Sequence, residues 1–162
     1  MITLDPRGTG RSSPLPGPYL LRDHVEDVRA VIEGSVAGPV VLAGLSSGAT
    51  VAAMFAARYP HLVEKLVLCG STPAPSTAPD LPYPLDAAFL AYWTRRRSLL
   101  DAEDYQGVLQ LFFEQALAEP GTQKLIEGMA QVWAQIPLET VRNFFTADDP
   151  DWELRPLLPE IG

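Results

Sequence analysis

Cysteine and histidine are scarce in this chain of 162 residues, which contains one cysteine, Cys69, and two histidines. A single cysteine allows no disulfide within the chain, and its place at the end of an apolar stretch predicts a buried packing residue. Such cysteine usage is typical of a reducing compartment, so we expect a cytoplasmic protein. No group of His and Cys has the spacing of metal ligands, and the sequence therefore predicts no metal ion and no cofactor.

Basic residues and long apolar stretches are also few. The chain has 12 lysines and arginines against 20 acidic residues, which gives a net charge of −8. This charge disfavours binding to nucleic acid or to an anionic membrane. No apolar stretch approaches the length of a membrane-spanning helix, and no signal-peptide pattern is present. We therefore expect a small molecule as the partner, and the sequence leaves the oligomeric state open.

The segment from Val40 to Gly48 carries the most informative pattern. An apolar strand runs into the five residues Gly44-Leu45-Ser46-Ser47-Gly48, and an alanine-rich helix, Ala49–Tyr59, follows at once. A serine on so sharp a turn between strand and helix is exposed for attack. Side chains in place of Gly44 and Gly48 would collide with the neighbouring strand and helix. The alternative is an ordinary glycine-rich turn in which Ser46 caps the helix.

Strands and helices alternate over the first 70 residues. The pattern predicts strands at Ile2–Leu4, Val40–Ala43 and Lys65–Cys69, and a helix over Leu20–Glu33 that ends at Gly34. The apolar face of this helix is at helical spacing and consists of Leu21, Val25, Val28 and Ile32. Alternation of this kind predicts an α/β fold with parallel strands and right-handed crossovers.

The composition changes after Gly70. Residues 71–84 are rich in proline, and the chain beyond them predicts helices and no strand, at Ala87–Leu100, Ala102–Ala118, Thr122–Ile136 and Leu138–Thr146. One face of the second of these helices carries Tyr105, Leu109, Phe112, Ala116 and Leu117. Aromatic side chains at helical spacing usually form a core with one another, although a lid over an apolar pocket would show the same pattern.

Three blocks, in one order, resemble the α/β-hydrolase fold family. Residues 5–12, DPRGTGRS, are similar to its D-x-R-G-x-G-x-S loop, the turn at Ser46 follows, and residues 59–68 are similar to its helix-to-strand passage. The resemblance implies a partial hydrolase core at 1–70, a proline-rich hinge at 71–84, a helical cap at 85–150 and a return segment at 151–162. The 5–12 loop is similar to that of the proline-iminopeptidase and carboxylesterase branch, whereas Ser47 replaces that branch's aromatic residue.

The resemblance also implies a function. Ser46 would be the nucleophile of a serine hydrolase acting on ester, amide or similar acyl bonds, and the Ser47 N–H would be one oxyanion donor. Serine at this position disfavours the haloalkane dehalogenases and epoxide hydrolases, which resemble the fold but use a carboxylate. Arg7 and Arg11, with Asp5, either fasten the glycine-rich loop or bind substrate, and the sequence favours fastening.

An activating base is the missing part. Serine needs an adjacent base, and the candidates are His24, inside the first helix, and His61, three helical turns or about 16 Å from Ser46. Neither is expected to reach the hydroxyl. We therefore expect an internal segment of a hydrolase that lacks the triad acid and histidine and is inactive by itself. The alternative is a non-catalytic binding module or half of a two-chain assembly, and acyl transfer to an acceptor other than water remains open.

Overall fold

Six α-helices and two β-strands make up the regular structure of the residues that the computed structural model describes, which are 1–13, 17, 19–70, 80, 86–146 and 153–161. The first part of the chain holds α1 (Leu21–Ser35), β1 (Val40–Leu45), α2 (Ser47–Arg58), a 3-10 turn (Pro60–Leu62) and β2 (Val63–Cys69). The second part holds α3 (Ala87–Asp101), α4 (Tyr105–Ala116), α5 (Gln123–Trp133), α6 (Leu138–Thr146) and a 3-10 turn (Leu158–Glu160).

The two strands are parallel neighbours, with α2 as the crossover between them. Their register runs from Val41 beside Lys65 to Leu45 beside Cys69. Parallel strands need such a crossover because the chain must return to the starting edge of the sheet. The α/β class predicted from the alternating pattern is confirmed, as two parallel strands with flanking helices.

The strand predicted at Ile2–Leu4 is wrong. Residues 1–6 have no regular structure, Ile2 is 55% exposed, and the sheet in the described part of the chain consists of β1 and β2. An apolar, β-branched segment becomes a strand only when a neighbour supplies hydrogen bonds to its backbone. Neither β1 nor β2 pairs with residues 2–4, and local preference alone therefore does not make this segment a strand.

The helix α1 packs on α2 through the face that its sequence predicts. Val25, Val28 and Ile32 are buried together with Ala53, Met54, Phe55 and Leu154. The Asp23 carboxylate accepts the Leu20 N–H at 2.8 Å, which satisfies a backbone donor at the start of α1. The helix continues past Gly34, where it was predicted to end, and stops after Ser35.

The four predicted helices of the second part are all present, around a core of their own. Its buried members come from α4, α5 and α6, namely Tyr105, Val108, Leu109, Phe113, Ile126 and Val141. The helix α4 begins three residues later than predicted because the Asp104 carboxylate accepts the Gly107 N–H at 2.9 Å and caps it there. Asp86 caps α3 in the same way through the Phe89 N–H at 2.7 Å.

The chain divides into two compact units. The first comprises Met1–Arg7, Tyr19–Leu81 and Ala147–Gly162, and the second comprises Gly8–Pro18 and Pro82–Thr146. The domain boundaries predicted from composition stay predictions, and the hinge predicted at 71–84 lies, apart from Asp80, outside the described residues. Among the described helices, none is long and apolar enough to cross a bilayer.

Candidate active site

The turn between β1 and α2 holds Ser46 in a backbone conformation that residues other than glycine rarely adopt. Its φ is 54° and its ψ is −124°, and in the described part of the chain Glu103 is the other non-glycine residue with a positive φ. Such a conformation costs on the order of 1–3 kcal/mol and persists only when the surroundings hold it in place. Ser46 is exposed, as the strand-to-helix pattern predicts.

Backbone hydrogen bonds from both neighbouring elements hold Ser46. Its N–H donates to the Cys69 carbonyl oxygen of β2 at 2.8 Å, and its own carbonyl oxygen accepts from Ala49 at 2.9 Å and Thr50 at 3.3 Å. Ser46 occupies the N-cap position of α2, but its side chain makes no capping hydrogen bond there. The alternative interpretation, in which Ser46 serves as an ordinary cap, therefore lacks the contact that defines it.

Gly44 and Gly48 were both expected to be required by close packing, and the structure separates them. A Cβ atom on Gly44 would lie 2.2 Å from the Gly48 carbonyl oxygen and 2.7 Å from the Ala49 Cα, both of which are backbone atoms. The expectation for Gly44 is confirmed. A Cβ atom on Gly48 would meet no described atom within 4 Å, so the expectation for Gly48 is wrong. Of the two glycines, Gly44 in the strand is therefore the one at which close packing excludes a side chain.

Ser47 is the first residue of α2 and is exposed. The N–H groups of the first helical turn have no acceptor within the helix, and the helix dipole makes this end partly positive. The Ser47 N–H therefore lies one residue after Ser46 at the end of α2 that favours negative charge. The described residues contain no group of three or more His, Cys, Asp or Glu side chains that could hold a metal ion.

The two histidines lie on other elements. His24 is in the first half of α1, and its ring makes an edge-to-face contact with Tyr19 at 6.3 Å between centroids. His61 is exposed in the 3-10 turn beyond α2, and the 12 residues of α2 span about 18 Å at 1.5 Å per residue. The whole length of α2 thus separates His61 from Ser46.

Comparison with known proteins adds a family to this geometry. A family model described as the alpha/beta hydrolase fold matches residues 1–126. The chain belongs to the α/β-hydrolase fold family. A hydrolase from Pseudomonas aeruginosa PA01, known from its crystal structure, is 26% identical with a TM-score of 0.59, and the match covers 88% of this chain and 51% of that one. This chain thus spans about half the length of that hydrolase. A search of curated proteins found no significant match to this chain.

Arg7 of the glycine-rich loop motif is hydrogen-bonded to helix α1. Its guanidinium donates to both carboxylate oxygens of Asp27 at 2.7 Å and to the Asp23 carbonyl oxygen at 3.0 Å. The hydrogen bonds that Arg7 donates to the Asp27 carboxylate raise the pKa of Arg7 above its usual value. The fastening role favoured from the sequence agrees with these contacts, but the partner is on α1, 20 residues away, and no local signal pointed to it.

The predicted burial of Cys69 is wrong, since this cysteine is exposed. Cys69 shares one face of the sheet with Val41, Leu45 and Val67, which are 59%, 72% and 46% exposed. We call this the outer face of the sheet. Parallel strands are usually covered on both sides, which is why an apolar strand predicts burial. Here the helices α1 and α2 form a core with the opposite face.

Proposed function

We propose that this α/β-hydrolase chain carries the nucleophile of a serine hydrolase that acts on ester, amide or similar acyl bonds. The observation that carries the proposal is Ser46, which is exposed, strained at φ 54° and fixed between β1 and α2. A serine on such a sharp strand-to-helix turn, called a nucleophile elbow, presents its hydroxyl to an incoming carbonyl carbon. The hydroxyl oxygen adds to that carbon, the leaving group departs, and water then releases the acyl group from Ser46.

The start of α2 supplies stabilisation for the charge that develops in this reaction. Addition of the Ser46 oxygen places negative charge on the former carbonyl oxygen of the substrate. The Ser47 N–H, at the positive end of the α2 dipole, is the donor that this proposal assigns to that oxygen. A backbone donor needs no particular side chain, so the serine hydroxyl of residue 47 is dispensable in this scheme.

The proposed reaction also needs a proton acceptor, and neither histidine of the chain is placed to serve as one. A serine hydroxyl is a weak nucleophile at neutral pH and needs a base within hydrogen-bonding distance. His24 contacts Tyr19, and α2 separates His61 from the elbow. The proposal therefore assigns the base and its acid partner to residues outside this sequence. The greater length of the matched Pseudomonas hydrolase is consistent with that assignment.

A fluorophosphonate probe tests the proposal, because it phosphonylates activated serines. The full-length protein should become labelled at Ser46, and Ser46→Ala should abolish the label. Ser47→Ala is the matched control, since it removes the neighbouring hydroxyl, keeps the backbone N–H and should retain labelling. Absence of label in the folded protein, or a label that survives Ser46→Ala, would refute the proposal.

A second candidate is a non-catalytic binding module, or half of a two-chain assembly, built on the same fold. The placement of His24 and His61 favours it, because the chain itself offers Ser46 no histidine base at the elbow. It predicts binding of a ligand or partner without ester turnover above that of Ser46→Ala. Turnover of a p-nitrophenyl ester by the purified 162-residue chain, lost in Ser46→Ala, would exclude this candidate.

The finer assignments belong to the same proposal. Similarity of residues 5–12 to the proline-iminopeptidase and carboxylesterase branch supports aminopeptidase or esterase substrates, whereas Ser47 departs from the iminopeptidase pattern. A panel of p-nitrophenyl esters and aminoacyl anilides would separate these classes by kcat/KM. The cytoplasmic location inferred from cysteine usage is likewise proposed and can be checked by cell fractionation.

A further inference from the structure

Directly after β2 lies a second residue with a positive φ, close to Ser46. Gly70, directly after β2, has a φ of 62°, which lies in the left-handed region that favours glycine. The residue before it, Cys69, provides the carbonyl oxygen that accepts the Ser46 N–H at 2.8 Å. The pair Leu45 and Cys69 is the last in the register of the sheet, so this bond closes the ladder.

These two positions are linked through one peptide plane. The plane that carries the Cys69 carbonyl oxygen also carries the Gly70 nitrogen, so its orientation is set jointly by the ψ of Cys69 and the φ of Gly70. Among the described residues, no later ladder bond restrains this plane, because the register ends at Cys69. A residue that resists the left-handed conformation would relax toward negative φ. Rotation of the plane would then turn the Cys69 oxygen away from the Ser46 N–H.

We propose that Gly70 is a positioning residue for Ser46, acting through the orientation of the Cys69 carbonyl group. The catalytic part of this inference rests on the proposed function, whereas the structural part concerns the Ser46 backbone alone. A Cβ atom on Gly70 would meet no described atom within 4 Å. The effect of a substitution at this site therefore comes from the backbone conformation that the new residue tolerates and not from a clash.

A graded series at position 70 tests the proposal. Asparagine tolerates the left-handed region, alanine less so, and β-branched valine least. In Gly70→Ala, hydrogen exchange at the Ser46 amide should quicken by about tenfold relative to amides of α1, and kcat should fall by about the same factor with little change in KM. Gly70→Val should show a larger effect, and Gly70→Asn should remain close to the wild type.

Gly38→Ala is the matched control. Gly38 also has a positive φ, of 126°, and open space around it, but it precedes β1 at the opposite end of the strand from Ser46. This variant should leave Ser46 exchange and fluorophosphonate labelling unchanged. Unaltered Ser46 exchange in Gly70→Ala, or an equal effect of Asn and Ala, would overturn the inference. A wild-type protein that takes no label would refute the proposed function, and Ser46 exchange would still decide the role of Gly70.

Discussion

At the scale of single residues, the most informative feature is a serine in a conformation that glycine would adopt at lower cost. Ser46 keeps its positive φ because its N–H is bonded to β2 and its carbonyl oxygen to α2. Strain of this kind is common at reactive positions, where it presents a side chain that ordinary geometry would turn away. The positive φ of Ser46 is therefore the observation that supports its proposed role as nucleophile.

Gly44 and Gly48 look equivalent in the sequence but should respond differently to substitution. Gly44→Ala places a methyl group against the backbone of Gly48, and we expect it to lower the free energy of unfolding by about 1–3 kcal/mol and to reduce labelling of Ser46. Gly48→Ala meets open space inside a helix and should be neutral or stabilising by up to about 1 kcal/mol. Urea denaturation of both variants would measure the contrast, and equal destabilisation would contradict it.

Several properties of individual residues could be predicted from the sequence, and others could not. The exposure of Ser46 and the need for glycine at position 44 follow from the local order of strand, turn and helix. The exposure of Cys69 does not, because it depends on what covers the outer face of the sheet. The partner of Arg7 does not follow either, since Asp27 lies 20 residues away and becomes a neighbour only after α1 has packed.

At the scale of elements, α1 takes part in ionic contacts of unequal kind. The Arg7–Asp27 pair is bidentate and partly buried, with side chains 18% and 32% exposed. The Arg29–Glu33 pair lies along the same helix at 3.0 Å, but its side chains are 43% and 48% exposed. A planar guanidinium that makes two parallel hydrogen bonds gives a stronger contact than a solvent-exposed pair.

Two substitutions of carboxylate by amide on α1 measure this difference. Asp27→Asn removes the charge that Arg7 pairs with, and we expect a loss of about 1 kcal/mol in the free energy of unfolding. Glu33→Gln makes the same change in charge at the exposed pair and should cost at most about 0.5 kcal/mol. Chemical denaturation at low ionic strength checks both values. A greater loss in Glu33→Gln would show that the Arg7 contact contributes little.

The helices could be predicted more reliably than the strands, for a physical reason. A helix satisfies its hydrogen bonds locally, so spacing and capping residues such as Asp104 determine much of its extent. The helix α6 has the predicted bounds, Leu138–Thr146. A strand depends on a neighbour, and Ile2–Leu4 has the right composition without a described strand beside it.

At the scale of the whole molecule, the described residues form two hydrophobic cores that share no buried residue. Phe55, which is fully buried, lies in the core of α1 and α2, and Phe113, which is 1% exposed, lies in the core of α4, α5 and α6. The change in composition after Gly70 predicted a helical second part, and the domain boundaries drawn from it stay predictions. The family match to residues 1–126 confirms the resemblance, whereas the roles of Ser46 and Ser47 remain proposals.

The two phenylalanines allow each core to be weakened separately. Phe55→Ala and Phe113→Ala should each destabilise their own core by about 3–5 kcal/mol, because each leaves a cavity among buried side chains. Hydrogen exchange followed by peptide mass spectrometry should show faster exchange in α1 and α2 for the first variant. For the second, it should show faster exchange in α4 and α5. Equal acceleration across both sets of helices in each variant would indicate a single cooperative unit.

The outer face of the sheet has a practical consequence for handling the protein. Its uncovered valines and leucine give separate molecules a surface on which to adhere, and the net charge of −8 opposes that contact through mutual repulsion. Acidification neutralises carboxylates and salt screens them, so either treatment weakens the repulsion. Solutions of the chain should therefore stay clear at neutral pH and low salt and become turbid when acidified.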